Sequence, residues 1–487
     1  MSEEHKIEEE EDEGNVTAPE KAEDEEIRNY KEEPGDDDGE NRHPTTRNSM
    51  PYTGLLVLKA IIGAGILNLP LIIKTFGILG GIILTLFLNV VAFFVAYFLA
   101  RSKDLSQRYS YAVYSKIVMG TAGAVIMKIG LFVMYSTLAI VQLIVFGDVL
   151  KGLSLLFCDV NLKILIVIIG LILMPFMFQK DISGITNYAY FGIIGLSVFY
   201  CTTVILFIIK YNQNKIVYES SMLYPSGTLK ELFQCVGGYY NAYSFHGVYF
   251  SLYLPLKPRN TKTMMKSILI GTIASSIIYA SYGIIFYLMY GNRITDSALK
   301  TLQADMAEAN KNNEKGIVFV LVICFLCFIL NACISTMTHF YLFKSHFIGL
   351  IKFFLKKLQD RKKEKDDKKG IPLVDINDDR KFSDDVQSIT TKEKEKEEDI
   401  LSERKQFFIN FLCYVYVLFM AVYFDKIIIL DSFNGSTVAN YINLMAPSIF
   451  YFYFARGKKF YGEKLIALFN LLFGAVLIGL FFILSFF

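Results

Sequence analysis

The sequence lacks most of the features by which enzymes, secreted proteins and channels are recognised. Only seven of its 487 residues are cysteines. All but Cys158 lie in or beside apolar runs, without the spacing of metal ligands, where cysteine behaves as a small hydrophobic residue. We therefore predict no disulfide framework, no metal centre and no other cofactor. No nucleophile motif falls inside an apolar run, which argues against an enzyme. The sequence also contains no filter-like repeat, which argues against a channel.

An excess of charge of either sign is also missing. The chain has 49 Lys and Arg against 47 Asp and Glu, a net charge of +2, which gives no indication of nucleic-acid binding. A cleavable signal peptide would start with a short basic segment and an apolar core, whereas this chain starts with a long acidic segment. The first apolar run is therefore expected to remain in the protein.

The charged residues are concentrated in two blocks, residues 1–50 and 352–405. Both blocks hold too few apolar side chains to offset the entropy of ordering, so we predict that they are disordered or weakly structured. The predicted organisation is an acidic tail, eight transmembrane helices, a charged loop and three further helices, over residues 1–50, 51–343, 344–406 and 407–487.

Nearly everything else is apolar, and 53% of all residues are hydrophobic. Since about 20 consecutive apolar residues are enough to cross a bilayer, the pattern predicts an all-α integral membrane protein with many spans. Eleven candidate spans are found: 52–73, 78–100, 123–148, 162–178, 186–210, 229–255, 267–290, 316–343, 407–428, 435–455 and 464–486.

The distribution of Lys and Arg predicts the orientation, because positive residues in short loops stay on the cytoplasmic side. Basic loops follow spans two, six and ten, at residues 101–116, 257–266 and 456–464, whereas the loop 291–315 balances its charges. We therefore predict a cytoplasmic N-terminus and a C-terminus on the far side. The segment "GLIKFFLKKLQD", residues 349–360, fits either a helix on the membrane surface or an extension of span eight.

Two of the spans are interrupted by helix-breaking residues. Span one contains "IIGAGILNLP", residues 61–70, and span six contains "CVGGYYNAYSFHGVYF", residues 235–250. Non-helical backbone at membrane depth is tolerated only where it is buried in protein or lines a cavity. Interrupted spans five apart are typical of transporters built from two inverted five-helix repeats, with the binding site between the breaks. The alternative is that the glycines only allow two helices to pack closely.

The breaks also predict the chemistry of a ligand. Free amides at the N-terminus of a half-helix attract a carboxylate, and free carbonyls at a C-terminus can hold a cation or an amino group. A site of this kind suits a zwitterion. An α-amino acid is the simplest ligand that fits it.

Three segments resemble the amino acid/auxin permease family, whose members are transmembrane amino acid transporters. They are "LKAIIGAGILNLPLIIKTFG" in span one, "AYSFHGVYFSLYLPLKPRN" in span six and "YGNRITDSAL" after span seven. The resemblance implies a leucine-transporter-like fold of two inverted five-helix repeats plus one extra helix, with helices one and six discontinuous. It also implies transport of amino acids driven by a proton or sodium gradient.

The resemblance further implies which residues bind the substrate and the coupling ion. The substrate would contact the unwound backbone of span one and three residues of span six, namely Ile62, Gly63, Ala64, Gly65, Ser244, Phe245 and His246. Tyr135 of span three would close over it, unless this ring only packs. A sodium ion would bind the Ile62 carbonyl with the hydroxyls of Ser335 and Thr336, unless these hydroxyls bond their own helix.

His246 bears on the identity of the coupling ion. Histidine titrates near physiological pH and is a functional candidate at membrane depth, although a neutral imidazole bonded to a backbone carbonyl is the alternative. Proton-coupled members that resemble span one carry an acid in "F-E-G", where this chain has "F-H-G" at residues 245–247. The cysteine pair of sodium-coupled members is absent from loops 211–228 and 291–315. The sequence is compatible with either a proton or a sodium ion as the coupling ion.

The expected function is therefore secondary active transport of an amino acid across a lipid bilayer. The alternative is an amino acid sensor that uses the same pocket with little net flux. The plasma membrane and a vacuolar or lysosomal membrane both fit, and the oligomeric state stays open.

Overall fold

The computed structural model describes residues 48–178, 189–216, 218–367, 403–424 and 427–486. Most of the predicted acidic tail, the greater part of the charged loop and the split between spans four and five lie outside these ranges. Within them the regular structure is helical, apart from one isolated bridge between Asn48 and Leu256. The predicted all-α architecture is confirmed.

The helices are numbered in chain order. They are α1 Met50–Ile61, α2 Leu69–Ser106, α3 Tyr111–Ser154, α4 Leu162–Met177, α5 Ala189–Asn212, α6 Leu229–Ala242, α7 Tyr249–Tyr253, α8 Thr261–Tyr290, α9 Ala298–Lys311, α10 Lys315–Asp367, α11 Glu403–Tyr423, α12 Ile427–Ser436, α13 Val438–Asn440, α14 Ala446–Phe454 and α15 Tyr461–Phe486. Short 3-10 turns and one π segment, Tyr441–Met445, lie between them.

Seven of the described helical stretches are long and apolar enough to cross a membrane, and α1 and α4 are shorter apolar helices. Each of the eleven predicted spans overlaps a helix, while the count of eleven crossings stays a prediction. Spans one and two share α2, which is bent at Gly77, where φ is +70°. A Cβ there would lie 2.4 Å from the Tyr224 backbone, so glycine is required at this junction.

The three basic loops lie on one face of the helical bundle. Lys103 Nζ, after span two, donates to Thr261 Oγ1 after span six at 3.0 Å. Arg101 Nε lies 3.6 Å from a carboxylate oxygen of Glu463, after span ten. At the other ends of the helices, α9 contacts α5 through an ion pair between Lys210 and Asp305. This arrangement agrees with the alternation of loops expected from the charges.

Two boundaries differ from the sequence prediction. The segment 428–435, predicted to separate spans nine and ten, lies within α12, and its polar side chains are buried against other helices. The predicted start of span ten at residue 435 is therefore wrong, because buried amide partners satisfy residues that would be solvated in a loop. Residues 349–360 continue α10 as an extension of span eight, since no Gly or Pro interrupts the helix after Gly349.

Candidate functional site

The first helix is broken at the residues expected. The helix α1 ends at Ile61, after which Ile62 is extended, with φ −80° and ψ 95°, and Gly63 has φ −122° and ψ −145°. A 3-10 turn, Ala64–Asn68, follows, and the α-helix resumes with Pro70 in its first turn. Glycine has a low helix propensity and proline lacks an amide hydrogen, which together favour this local geometry.

The break leaves three consecutive amides without an acceptor in the described part of the chain. Among the described residues, the N–H groups of Gly63, Ala64 and Gly65 have no protein acceptor. A Cβ built on Gly63 would meet no atom within 4 Å, so there is open space beside this backbone. Free amides at the start of a helical turn are a favourable environment for an anion.

The sixth span is broken at the same level of the bundle. The helix α6 starts with a capping box between Thr228 and Glu231 and ends at Ala242. A 3-10 turn, His246–Val248, then leads into α7. The two breaks touch, because a Cβ on Gly65 would lie 2.6 Å from the Cβ of Ala242.

Tyr279 of α8 joins the two helix ends and was missed in the sequence. Its hydroxyl lies 2.7 Å from the carbonyl oxygen of Ile61 and 3.2 Å from that of Ala242. These carbonyls end α1 and α6, where the helix dipole is negative. With 30 tyrosines in the chain, no sequence signal distinguishes this one.

Comparison with known proteins decides the family. The family model described as "Transmembrane amino acid transporter protein" matches residues 46–487. The chain belongs to the transmembrane amino acid transporter family. This agrees with the resemblance seen in the sequence, and it places the chain among multi-pass membrane transporters rather than enzymes.

Individual relatives of this family member are distant. The amino acid transporter AVT6E of Arabidopsis thaliana is 23% identical over 262 residues, which cover 51% of this chain and 53% of that protein. The match thus spans about half the length of the relative. Crystal structures of two mutants of a manganese transporter from Eremococcus coleocola align over 90% of this chain and 94% of theirs, with TM-scores of 0.40 and 0.38 and identities of 12% and 11%. Likenesses this weak establish neither substrate nor mechanism.

The three candidate residues of span six have side chains that point in different directions. Ser244 Oγ donates to the Tyr240 carbonyl oxygen at 3.2 Å, and Phe245 is buried against the His246 ring. The His246 imidazole is fully buried and its Nε2 lies 2.8 Å from the carbonyl oxygen of Ala92 in α2. The ring is thus directed at α2, as in the alternative considered above, and its contact with a substrate stays a prediction.

Tyr135 of α3 lies next to Gly247, at the end of the sixth-span break that leads into α7. Its hydroxyl would lie 3.4 Å from a Cβ on Gly247. Its ring stacks on His346 of α10, with centroids 5.0 Å apart and planes inclined by 4°. The side chain is therefore adjacent to the break and also packed, so both roles named for it are compatible with its position.

The residues expected to bind sodium lie in the same region as a basic side chain. Thr336 Oγ1 donates to the Ala332 carbonyl oxygen of its own helix at 2.7 Å, and no hydrogen bond between described residues joins Ser335 or Thr336 to Ile62. Lys59 of α1 and Asn331 of α10 both lie near Gly192. A Cβ built on Gly192 would lie 3.9 Å from Lys59 Cε and 3.5 Å from Asn331 Oδ1. Lys59 also interacts electrostatically with His339.

Lys59 was overlooked although the sequence contains a signal for it. It lies inside an apolar span, immediately before the broken segment, and a charged residue at such a depth is a functional candidate by default. Within the described residues Lys59 forms no ion pair. A protonated amine at this position would repel a sodium ion.

Proposed function

We propose that this chain is a secondary active transporter that moves an amino acid across a membrane along with a coupling ion. The observation that carries the proposal is the meeting of two broken helices at Gly65 and Ala242, with free amides and open space on the Gly63 side. Paired breaks of this kind form midplane binding sites in transporters with inverted repeats.

We propose a position in the site for each end of an amino acid. The α-carboxylate would accept hydrogen bonds from the amides of Gly63, Ala64 and Gly65. The α-ammonium would lie toward the carbonyl ends of α1 and α6, where Tyr279 holds the carbonyls of Ile61 and Ala242. A side chain would extend toward Tyr135 and Gly247, which are neighbours.

Membership of an amino acid transporter family, and the name of the Arabidopsis relative, support this substrate class. We further propose that the N-terminus is cytoplasmic, because the three clustered basic loops would then face the cytoplasm. The contacts of Lys103 with Thr261 and of Arg101 with Glu463 support their common side.

The test is uptake into liposomes reconstituted with the full chain. A panel of labelled amino acids would be offered under an imposed pH gradient, an imposed sodium gradient or neither. Saturable accumulation of at least one amino acid under one of the gradients is expected. Its absence for the whole panel under every condition would overturn the proposal.

A matched pair of variants tests the position of the site. Gly63→Val places a branched side chain in the open space beside the free amides and should abolish uptake. Gly479→Val makes the same change in α15, where a Cβ likewise meets nothing within 4 Å and the residue is exposed, and should leave uptake unchanged. Equal uptake by the two variants would contradict the site.

A sensor is distinguished by flux. A sensor would bind a labelled amino acid, lose that binding in Gly63→Val and show no uptake under any condition. This result would support the binding site and contradict the transport function. Binding is therefore measured on the same preparations.

A further inference from the structure

A buried carboxyl group links the two broken helices to α12. Asp431 is 2% exposed. Its Oδ2 accepts a hydrogen bond from Asn68 Nδ2 at 2.5 Å, and its Oδ1 accepts one from Asn241 Nδ2 at 3.1 Å. Asn68 ends the 3-10 turn that follows the first break, and Asn241 lies one residue before the end of α6. Asn434, also of α12, donates to Asn241 Oδ1 at 3.1 Å.

The carboxyl group has no cationic partner in the part of the chain that the structure describes. Within the described residues its hydrogen-bond partners are neutral amides, and no Lys, Arg or His forms an ion pair with it. The helix that carries it, α12, packs against α3, α6, α13 and α15. The titratable group that interacts electrostatically with the carboxyl group is Tyr279 of α8. The described part of α12 contains no other titratable residue. An ionised carboxylate without a countercharge is costly at membrane depth, and residues of this kind mark proton pathways.

The amides can accommodate both protonation states of Asp431. In the ionised state both carboxylate oxygens accept from N–H donors. In the protonated state the new O–H needs an acceptor, and the buried Oδ1 of Asn68 has no hydrogen-bond partner within the described residues. Rotation of the Asn68 amide would turn this oxygen toward Asp431. Asp431 thus has a hydrogen-bond partner at Asn68 in either state, so its carboxyl group can bind and release a proton without itself becoming unpaired.

The geometry favours a proton over a metal cation at this position. A cation such as sodium requires a shell of oxygen ligands, as hard cations do in general. Here amide N–H groups face both carboxylate oxygens at hydrogen-bond distance, whereas a proton needs only one oxygen. The other candidate position, at Ser335 and Thr336, lies in the same region as the basic side chain of Lys59.

We propose that Asp431 binds the coupling proton and that its protonation loosens the contact between the two broken helices and α12. The proposal rests on the proposed function. The ionised carboxylate forms charge-assisted hydrogen bonds, which are about twice as strong as neutral ones. It thereby holds Asn68, Asn241 and α12 together. A proton added to Oδ2 or Oδ1 removes the charge and weakens both links, so the half-helices separate more readily, and release of the proton restores the contact.

The test measures proton movement and amino acid movement on the same liposomes. With the wild-type chain, an acid exterior in sodium-free buffer should drive accumulation, and addition of the amino acid should make the exterior more alkaline. Asp431→Asn should lose both responses and keep exchange of labelled for unlabelled amino acid at equal pH, because exchange needs no net proton transfer. Asp159→Asn, at a side chain 75% exposed, is the control and should behave as wild type.

Asp431→Glu separates proton binding from a structural role. This variant keeps a titratable carboxyl group, so proton-driven uptake should persist with its half-maximal pH displaced from that of the wild type. An unchanged pH profile, or pH-driven accumulation by Asp431→Asn, would overturn the proposal. Uptake by the wild type that follows sodium and ignores pH would also overturn it while leaving the transport function intact. Failure of the wild type to transport or exchange any amino acid would instead overturn the proposed function.

Discussion

The hydroxyl of Tyr279 lies 2.7 Å from the carbonyl oxygen of Ile61, the last residue before the break in the first span. The Tyr279 hydroxyl oxygen also lies 3.2 Å from the carbonyl oxygen of Ala242, at the break in the sixth span. One buried side chain on a continuous helix thus connects two helix ends whose last carbonyls accept no backbone hydrogen bond within the described residues.

Tyr279→Phe is expected to destabilise the protein and to slow transport. It removes the single O–H that lies within hydrogen-bond distance of both buried carbonyls, and an unsatisfied buried acceptor costs about 1–3 kcal/mol. Tyr282→Phe is the control in the same helix, because the Tyr282 hydroxyl is buried and has no partner within the described residues, and it should have little effect. Thermal unfolding in detergent and uptake would be measured for both. Equal shifts in the two variants would show that the Tyr279 contacts do not support the breaks.

Gly65→Ala is expected to push the two breaks apart. The added Cβ would lie 2.6 Å from the Cβ and 3.0 Å from the Cα of Ala242. Overpacking of this kind costs about 1–3 kcal/mol. Gly63→Ala is the matched control for stability, since its Cβ meets nothing within 4 Å.

The double variant Gly65→Ala/Ala242→Gly should recover part of the melting temperature lost in Gly65→Ala, because it removes the nearer of the two clashing atoms. A coupling between contacting positions appears as non-additive stability changes. Strict additivity of the two single changes would contradict the contact.

The ion pair between Lys210 and Asp305 should be essential for holding α9 in place. Lys210 Nζ lies 2.7 Å from Asp305 Oδ1, the side chains are 3% and 8% exposed, and the Tyr290 hydroxyl donates to Asp305 Oδ2 at 2.8 Å. Asp305→Ala strands a buried ammonium group and should cost about 3–5 kcal/mol. Glu308→Ala breaks the exposed pair with Arg293 and should cost about 0–1 kcal/mol. Similar losses in a denaturation series would contradict this ranking.

The breaks were predictable because glycine and proline act locally. Gly63, Gly65 and Pro70 disfavour a continuous helix whatever packs against them, and Gly237 and Gly238 together with Gly247 mark the sixth span in the same way. The interrupted helices therefore appear in the structure within one turn of the predicted positions. The family followed from the same residues.

The side-chain partners were not predictable, because they depend on which face of each helix meets which neighbour. "ILDSFNGS" at residues 429–436 has the composition of a loop, yet Asp431 and Asn434 are buried by Asn68 and Asn241. His246 was expected to face the substrate, and its Nε2 lies 2.8 Å from the carbonyl oxygen of Ala92 in α2. Hydrophobic pattern alone contains neither fact.

The clustering of the basic loops predicts the outcome of labelling from the two sides of the membrane. Lys262 follows span six on the face where Lys103 meets Thr261. Lys311 ends α9, whose Asp305 contacts Lys210 at the opposite ends of the helices. Both lysines are exposed. In a background with the seven cysteines replaced by alanine, Lys262→Cys and Lys311→Cys should react with a membrane-impermeant maleimide from opposite sides.

The side of each reaction also tests the proposed orientation. Since positive loops are retained in the cytoplasm, Lys262→Cys should react only after the membrane is opened to the cytoplasmic side, and Lys311→Cys should react on intact membranes. Reaction of both from one side would contradict the arrangement of the loops in the structure. Reaction with the sides exchanged would keep the arrangement and reverse the orientation, which would place the N-terminus and the acidic tail on the far side.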